Sequence, residues 1–285
     1  MESQTLRITF RDQTTNEVSL FASPIDTKRA ILILPAMGLR ASYYKTFASE
    51  LSLSAYHVFS LDWRGQGKSN IRPSRQVKHG YQTLIEDIGE VIDLMEKKFP
   101  YSQKFILGHS LGGQLGSLFA SRYQGKIAGL ILISASTVYY KGWQGLKRWQ
   151  LWMGVNFFYP LSKLFGYFPG HKIGFGGKES MGVMRDWTYN GKKGTYKLHE
   201  DNFPYEEAMS KTALAVLAIS LEGDEFAPKA AVSNLFRKFG EQSTIKHIHL
   251  SPKEFGIDRL NHYNWTKHPS YFIPLIKAWQ PVLNT

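Results

Sequence analysis

The sequence contains no cysteine, so neither a disulfide framework nor a thiolate nucleophile or metal ligand is available to it. It also lacks any run of about 18 apolar residues, the length that a membrane-spanning helix requires. The N-terminal stretch MESQTLRITFRDQTTNEVSLF alternates polar and apolar residues and has none of the apolar core of a signal peptide. We therefore expect a cytoplasmic protein. With 285 residues and 43% hydrophobic content, it suits one large domain or one domain carrying an insertion.

Acidic residues are scarce relative to basic ones: 23 Asp and Glu stand against 35 Lys and Arg, for a net charge of +12. Much of the excess lies between residues 141 and 197, which hold ten Lys and Arg but only two acids. A basic surface suits nucleic acid, an anionic membrane or an acidic substrate. Because no nucleic-acid-binding module is recognisable, we expect no nucleic-acid partner.

Short apolar runs alternate with amphipathic helical patterns along most of the chain. The runs, each typical of a strand covered on both faces, are RAILILP, HVFSLD, KFILG, GLILIS, LAVLAIS and IKHIHLS. An N-terminal pair, TLRITF and EVSLFAS, alternates with period two and predicts a hairpin. Strands alternating with helices predict an α/β fold with a mostly parallel central sheet and helices on both faces. The alternation breaks over 138–205, which we interpret as an insertion that leaves 1–137 and 206–285 as the core.

One strand end carries the pattern Gly108-His109-Ser110-Leu111-Gly112, directly after an apolar run and before a helix-like stretch. A strand that turns straight into a helix strains the central residue, and small neighbours on both sides make room for it. The free N–H groups of the helix N-terminus would stabilise an oxyanion formed when the hydroxyl attacks a carbonyl. This context, more than the short pattern itself, predicts that Ser110 is a nucleophile.

A serine nucleophile needs a histidine base that is oriented by a carboxylate. Asp224 lies in the turn after the run LAVLAIS, and His262 lies in a loop beyond the run IKHIHLS. Because the carboxyl ends of parallel strands share one edge of a sheet, we expect Ser110, Asp224 and His262 to converge. Two neighbours of the aspartate, Glu222 and Glu225, stay open as alternative acids.

Other polar residues near these motifs have structural interpretations. We expect Asp201 to be a solvated charge and Arg64 to brace its loop by hydrogen bonds. The remaining histidines that we interpret are His109 as a structural residue, His247 and His249 on sheet faces, and His268 as a cap of the last helix. No cluster of histidines and acids has the spacing of metal ligands, so we expect neither a metal nor a cofactor.

Together these features resemble the α/β-hydrolase superfamily, in which serine, acid and histidine follow one another in this order. LDWRGQGKS resembles the family's Asp-x-Arg-Gly-x-Gly-x-Ser loop, and GDEFAP resembles its acid turn. Parts of LPAMGLRASYY, FGYFP and VMRDW are similar to a bacterial subgroup of predicted hydrolases. The resemblance favours Asp224 over its acidic neighbours and implies that 138–205 is a cap, or lid, over the active site.

The same resemblance implies an oxyanion hole made of two backbone N–H groups. The family often has His-Gly after its third strand, and the next residue donates one N–H. Here Pro35 and Ala36 stand in that place, so the donor is Met37. The second donor is the N–H of Leu111, the residue after the serine.

We therefore expect a serine hydrolase that cleaves a carboxylic ester or related acyl bond through an acyl-enzyme. Nine aromatic residues of the insertion have two interpretations: some pack the cap helices onto the domain, and others form pocket walls for a hydrophobic acyl or aryl group. They are Trp143, Trp149, Trp152, Phe157, Phe158, Tyr159, Phe165, Tyr167 and Phe168. The stretch KGWQGLKRWQLWMGVNFF sets basic residues among aromatics, a pattern that suits a solvated basic face first and peripheral contact with an anionic membrane as the alternative. Acyl transfer, aminopeptidase-like hydrolysis and a non-catalytic binding protein stay as alternatives, because a fold does not fix a reaction.

Overall fold

An eight-stranded sheet forms the centre of the computed structural model, which describes residues 3–279. The strands of the described residues are β1 (Gln4–Thr9), β2 (Thr15–Phe21), β3 (Arg29–Leu34), β4 (His57–Leu61), β5 (Gln103–His109), β6 (Gly129–Ile133), β7 (Phe168–Pro169), β8 (Lys178–Glu179), β9 (Ala215–Leu221) and β10 (Thr244–Leu250). The sheet order is β1-β2-β4-β3-β5-β6-β9-β10, while β7 and β8 form a separate antiparallel pair. Strands β3, β4, β5, β6, β9 and β10 are parallel to one another. Strands β1 and β2 pair antiparallel, and β2 also pairs antiparallel with β4. This confirms the predicted N-terminal hairpin and the mostly parallel sheet.

Helices cover both faces of this sheet. They are α1 (Lys45–Ser52), α2 (Tyr81–Lys98), α3 (Leu111–Arg122), α4 (Gly145–Phe165), α5 (Gly170–Ile173), α6 (Met181–Lys193), α7 (Tyr205–Lys211), α8 (Lys229–Phe236) and α9 (Pro269–Ala278). Apolar residues of α1 and α9 pack on one face, and those of α2, α3 and α8 pack on the other. In β3, Leu32 and Leu34 join the second cluster while Ile31 and Ile33 join the first. The run is continuously apolar because successive side chains point to opposite faces and both faces are covered.

The chain reverses its direction of travel across the sheet at β3. Strand β4 pairs with one side of β3, and β5 pairs with the other. The connections after β3 and β5 therefore leave in opposite directions and open a crevice at the carboxyl ends of these strands. The turn after β3 holds Met37 and the turn after β5 holds Ser110, so both predicted residues lie at this crevice.

The segment 138–205 lies between β6 and α7 and contains α4, α5, α6 and the β7–β8 pair. Helix α4 packs against α6, where Gly191 leaves room for Val155 and the ring of Phe158 stacks on Trp187 with centroids 5.9 Å apart. The core ranges 1–137 and 206–285 stay a prediction, and they include residues 1–2 and 280–285, which lie outside the described residues. Within residues 3–279, no helix combines the length and the apolar character needed to cross a membrane.

Candidate active site

Ser110 lies between the last residue of β5 and the first residue of α3. Its backbone is strained, with φ 53° and ψ −115°, a conformation that costs on the order of 1–3 kcal/mol and is found mainly at functional sites. Glycines allow the surrounding backbone to approach closely. A Cβ at Gly108 would overlap the backbone of Gly113, and a Cβ at Gly112 would overlap the carbonyl of Leu34. Gly108 and Gly112 are thus needed in the pattern because a side chain at either position would clash with neighbouring backbone.

The strained turn places Ser110 at the wall of a cavity of about 400 Å³. The backbone of the turn is anchored on both sides: Ser110 N–H donates to Ile133 O at 3.3 Å, and Gly113 N–H donates to Ser110 O at 3.0 Å. A rigid backbone holds the hydroxyl in one place, as a reacting group requires.

Asp224 and His262 form a buried hydrogen-bonded pair. The Oδ2 atom of Asp224 lies 2.9 Å from Nδ1 of His262, and its Oδ1 accepts from the N–H groups of Phe226 at 2.9 Å and Ala227 at 3.0 Å. Burial works to raise the pKa of Asp224, but the hydrogen bonds and charge of His262 and the N–H of Ala227 outweigh it and hold the pKa below its ordinary value. An ionised carboxylate accepts a hydrogen bond from Nδ1–H of the neutral ring. Nε2 then carries no proton and can accept the proton of the serine hydroxyl.

His262 and Ser110 line the same cavity, so the structure brings the three predicted residues together at one edge of the sheet. Within the described residues, no hydrogen bond joins the Ser110 hydroxyl to the His262 ring. Such contacts are commonly long without substrate and shorten in the reacting complex. The ring of His262 is held by aromatic neighbours, with centroids 5.3 Å from Phe226 and 4.9 Å from His109.

The alternative acids have different surroundings. Glu222 is exposed, and Glu225 is exposed with its carboxylate 2.9 Å from Nζ of Lys147. Asp224 is the carboxylate that contacts the histidine. The expectation of a solvated Asp201 is wrong: its side chain is largely buried, pairs with Arg122 and accepts a hydrogen bond from the Tyr205 hydroxyl at 2.8 Å.

The structural interpretations of the other polar residues are confirmed with one exception. His109 is fully buried with Nδ1 2.7 Å from the Tyr44 hydroxyl, and Arg64 donates to Asp87 at 2.8 Å. His247 and His249 lie in β10, each 2.8 Å from the Ser220 hydroxyl. The exception is His268, which occupies the N-cap position of α9 but makes no side-chain capping hydrogen bond there.

The two predicted oxyanion donors also lie at the cavity. Met37 and Leu111 both line it, and within residues 3–279 neither backbone N–H donates to another protein group. The neighbouring Ala36 N–H is committed to the Tyr44 hydroxyl at 3.0 Å. Leu111 is the first residue of α3, so its N–H lies at the positive end of the helix dipole. The arrangement therefore offers two free donors at the cavity that Ser110 also lines.

The aromatic residues of the 138–205 segment divide into two groups. Trp143 and Phe158 line the cavity as predicted, together with Trp187. Four other members of the aromatic set do not line the cavity and are exposed to solvent: Trp149, Trp152, Phe157 and Phe165. Helical periodicity explains the division, since α4 turns one side toward α6 and the other outward.

Sequence reasoning missed a polar group in the cavity wall. Gln114 is buried and lines the cavity one helical turn after Ser110, and its Oε1 accepts from the Tyr81 hydroxyl at 3.3 Å. The spacing of four residues on a helix that begins after the nucleophile is the signal that could have found it. Among residues 3–279, no group of three or more His, Asp and Glu side chains is placed to hold a metal ion.

The sheet order, the covering helices and the strained serine turn define an α/β-hydrolase fold. The family model described as "Serine aminopeptidase, S33" matches residues 25–186, more than half of the chain, and the chain belongs to this family. The match includes Ser110 and Met37. It ends before Asp224 and His262, whose placement comes from the structure.

Known relatives are similar over a limited stretch. Human monoglyceride lipase is 31% identical over 112 residues, which are 39% of this chain and 36% of that protein. Proline iminopeptidase PfmaB of Pestalotiopsis fici is 36% identical over 98 residues, 34% of this chain and 31% of that protein. The chain thus spans about a third of the length of the curated relatives it matches.

Solved structures agree over nearly the whole chain. The monoacylglycerol lipase of Paleococcus ferrophilus aligns with a TM-score of 0.63 and 13% identity, covering 98% of this chain and 100% of that one. An esterase from Exiguobacterium antarcticum aligns with a TM-score of 0.63 and 15% identity, covering 97% and 99%. At this identity the likeness shows the fold alone.

Proposed function

We propose that the protein is a serine hydrolase that cleaves carboxylic esters through an acyl-enzyme. The observation that carries the proposal is the Asp224–His262 pair at the wall of the cavity that also exposes Ser110. The S33 family match supports a serine hydrolase, and the likeness to monoglyceride lipases supports an ester as the substrate.

The proposed reaction has two halves. Ser110 Oγ attacks the ester carbonyl carbon while Nε2 of His262 takes its proton, and Asp224 stabilises the resulting imidazolium. The N–H groups of Met37 and Leu111 bind the oxyanion of the tetrahedral intermediate. The intermediate collapses, the alcohol leaves with the proton from His262, and Ser110 is acylated. Water then attacks the acyl carbon and gives its proton to His262. The second intermediate collapses, the acid is released, and His262 returns the proton to Ser110 Oγ.

We assign 138–205 as a cap over this site, acting on substrates with a hydrophobic acyl or aryl group. The apolar part of the cavity wall supports this assignment, since Trp143, Leu151, Phe158 and Trp187 come from the segment. Such a wall binds an acyl chain by burying its apolar surface.

Replacement of Ser110 tests the nucleophile. The Ser110→Ala variant should lose labelling by a fluorophosphonate probe and hydrolysis of p-nitrophenyl esters. Ser117→Ala is a matched control, because Ser117 is a buried serine of the same helix whose hydroxyl donates to Gly113 O at 2.7 Å. It should keep both activities. Labelling of Ser110→Ala at the wild-type rate would refute the assignment.

Aminopeptidase-like hydrolysis is the second candidate, and the carboxylate of Glu225 at the cavity wall favours it, since an acid there could bind a substrate ammonium group. Lys147 already pairs with that carboxylate, so we rank ester hydrolysis first. A panel of p-nitrophenyl esters, acyl-CoA thioesters and aminoacyl amides, run on wild type and Ser110→Ala together, separates these reactions. Acyl transfer would appear as ester products when an alcohol is added.

We further propose that the outer face of α4 contacts an anionic membrane surface. Leu146, Trp149 and Phe157 lie on one side of the helix with 72%, 63% and 63% of their surfaces exposed. The two acids among residues 141–197, Glu179 and Asp186, are buried, so the exposed formal charges of that stretch are positive. An apolar helix face within a basic surface is the pattern of a peripheral membrane helix.

Vesicle sedimentation tests this contact. Wild type should sediment with vesicles of phosphatidylglycerol and phosphatidylcholine, more at low salt than at high salt, and less with phosphatidylcholine alone. The Trp149→Ser/Phe157→Ser double variant should lose most of the binding. Tyr101→Ser is the control, because Tyr101 is 86% exposed but lies outside α4. Equal sedimentation of the double variant and wild type, or none at either salt, would contradict the proposal.

A further inference from the structure

A buried carboxylate of the 138–205 segment lies beside the turn after β3. Glu179 is in β8, with 5% of its surface exposed, and its Oε1 accepts from the N–H of Gly177 at 3.0 Å. It takes no part in the proposed proton transfers, which use His262 and Asp224. A carboxylate is costly to bury, so its retention at this position calls for a reason beyond packing.

The loop held by Glu179 rests directly on the turn that contains Met37. Gly38 has φ +75°, and a Cβ there would overlap the peptide between Gly176 and Gly177. A Cβ at Gly176 would lie 3.0 Å from the Sδ atom of Met37. The two backbones therefore touch without an intervening side chain, and a shift of one must move the other.

Gln66 joins the same contact from a third segment, the loop after β4. Its Nε2 donates to Lys178 O at 2.9 Å. Burial raises the pKa of Glu179 to about 7, and the facing N–H groups of Gly177 and Gly38 and the side chain of Gln66 act in the opposite direction. These donors are neutral, and the hydrogen bond from Gly177 at 3.0 Å fixes the carboxylate at the point where the three chain segments meet.

We propose that Glu179 is a positioning residue for the oxyanion-binding turn, holding Gly177 against Gly38 so that the N–H of Met37 stays in place for the developing oxyanion. The inference rests on the proposed function, in which Met37 is a donor. A donor that is held in position stabilises the transition state more than it stabilises the bound ester. Loosening the donor therefore lowers kcat and leaves substrate binding nearly unchanged.

Two substitutions separate positioning from packing. Glu179→Ala removes the acceptor of Gly177 N–H, and we expect kcat for p-nitrophenyl hexanoate to fall about tenfold with KM within about twofold of wild type. Glu179→Gln keeps an Oε1 acceptor and should restore kcat to within about twofold. The rate of fluorophosphonate labelling should follow kcat, because phosphonylation also places charge on an oxygen at this site.

Asp186→Ala is the matched control. Asp186 is the other buried acid of the segment and accepts from the N–H groups of Tyr81 at 2.9 Å and His199 at 3.1 Å, away from the Met37 turn. It should lower Tm while leaving kcat close to wild type. If Glu179→Ala does not fold, Gln66→Leu removes the donor to Lys178 O and should lower kcat by a smaller factor, again without raising KM.

The results distinguish this inference from the proposed function. If Ser110→Ala is inactive but Glu179→Ala and Gln66→Leu keep wild-type kcat, or raise KM alone, the inference is wrong and the proposed function stands. It is equally wrong if Asp186→Ala lowers kcat as much as Glu179→Ala. Full activity of Ser110→Ala would overturn both.

Discussion

The sheet and the 138–205 segment are both rich in apolar residues, but they place them differently. Every residue of β6 is buried, and the apolar residues of β3 are fully buried between two layers of helices. In α4, which has 21 residues, the buried ones are Gly154, Val155 and Ser162, while Trp149 and Phe157 are exposed. Folding explains the apolar residues of the sheet. It does not explain an exposed apolar helix face, and this is why we propose that the face binds a membrane surface.

Two buried carboxylates show the same contrast in their electrostatics. Asp224, beyond β9, contacts a histidine that can carry positive charge, and its pKa is lowered despite burial. Glu179, in the segment, contacts neutral donors, and burial raises its pKa to about 7. A partner that can carry positive charge offsets the cost of burying an anion more fully than neutral hydrogen-bond donors do.

The largest effect on activity is expected from replacing Asp224, the acid that the core contributes to the site. In Asp224→Asn the amide would donate to Nδ1 of His262 and leave the proton on Nε2, where the base must accept one. We expect kcat/KM for p-nitrophenyl esters to fall on the order of 10³- to 10⁴-fold with little change in fold. Glu222→Gln, an exposed neighbour in the same turn, is the control and should stay near wild type. A small loss of kcat/KM in Asp224→Asn would show that another acid orients His262.

Glycine substitutions compare the packing of the two regions. Gly112→Ala should lower the free energy of unfolding by about 3 kcal/mol, because its Cβ would overlap Leu34 O in the core. Gly145→Ala, at the start of α4, meets no atom within 4 Å and bears the strain of its φ of +54°, about 1 kcal/mol. Urea unfolding measures both values. Equal losses would mean that the backbone relieves the overlap at Gly112 at little cost.

The raised pKa of Glu179 predicts a pH dependence of stability. The folded state holds the proton of this carboxyl more tightly than the unfolded state, so wild type loses stability as pH rises from the ordinary value of 4.5 through about 7. Glu179→Gln removes this loss. Relative to wild type, the variant should gain on the order of 2 kcal/mol between pH 5 and pH 8 in urea unfolding. A parallel pair of curves would show that Glu179 does not titrate in this range.

The smallest effect on stability is expected on the outer face of α4. Trp149→Ser and Phe157→Ser replace exposed side chains, so each should change the free energy of unfolding by less than about 0.5 kcal/mol. Thermal unfolding measures this. A larger loss would show that the aromatic face supports the fold, and would weaken the argument for a membrane surface.

Local patterns predicted the core and the serine turn because their physical requirements are local. A strand covered on both faces must be apolar throughout, and a strand that turns at once into a helix needs small residues around a strained one. The approach of Asp224 and His262 followed from one added rule, that parallel strands end at the same edge.

By itself, the sequence determined the strand and helix alternation, the position of Ser110 and the order of its partners. The tertiary structure alone decided that Asp201 is paired, that four of the nine aromatic residues face outward, and that Glu179 lies beside the turn of Met37. These facts depend on contacts between segments that lie far apart in the chain, as between Arg122 and Asp201 or between Gln66 and Lys178. No periodicity within a segment records which distant surface it will meet, because that choice is made by the packing of whole elements.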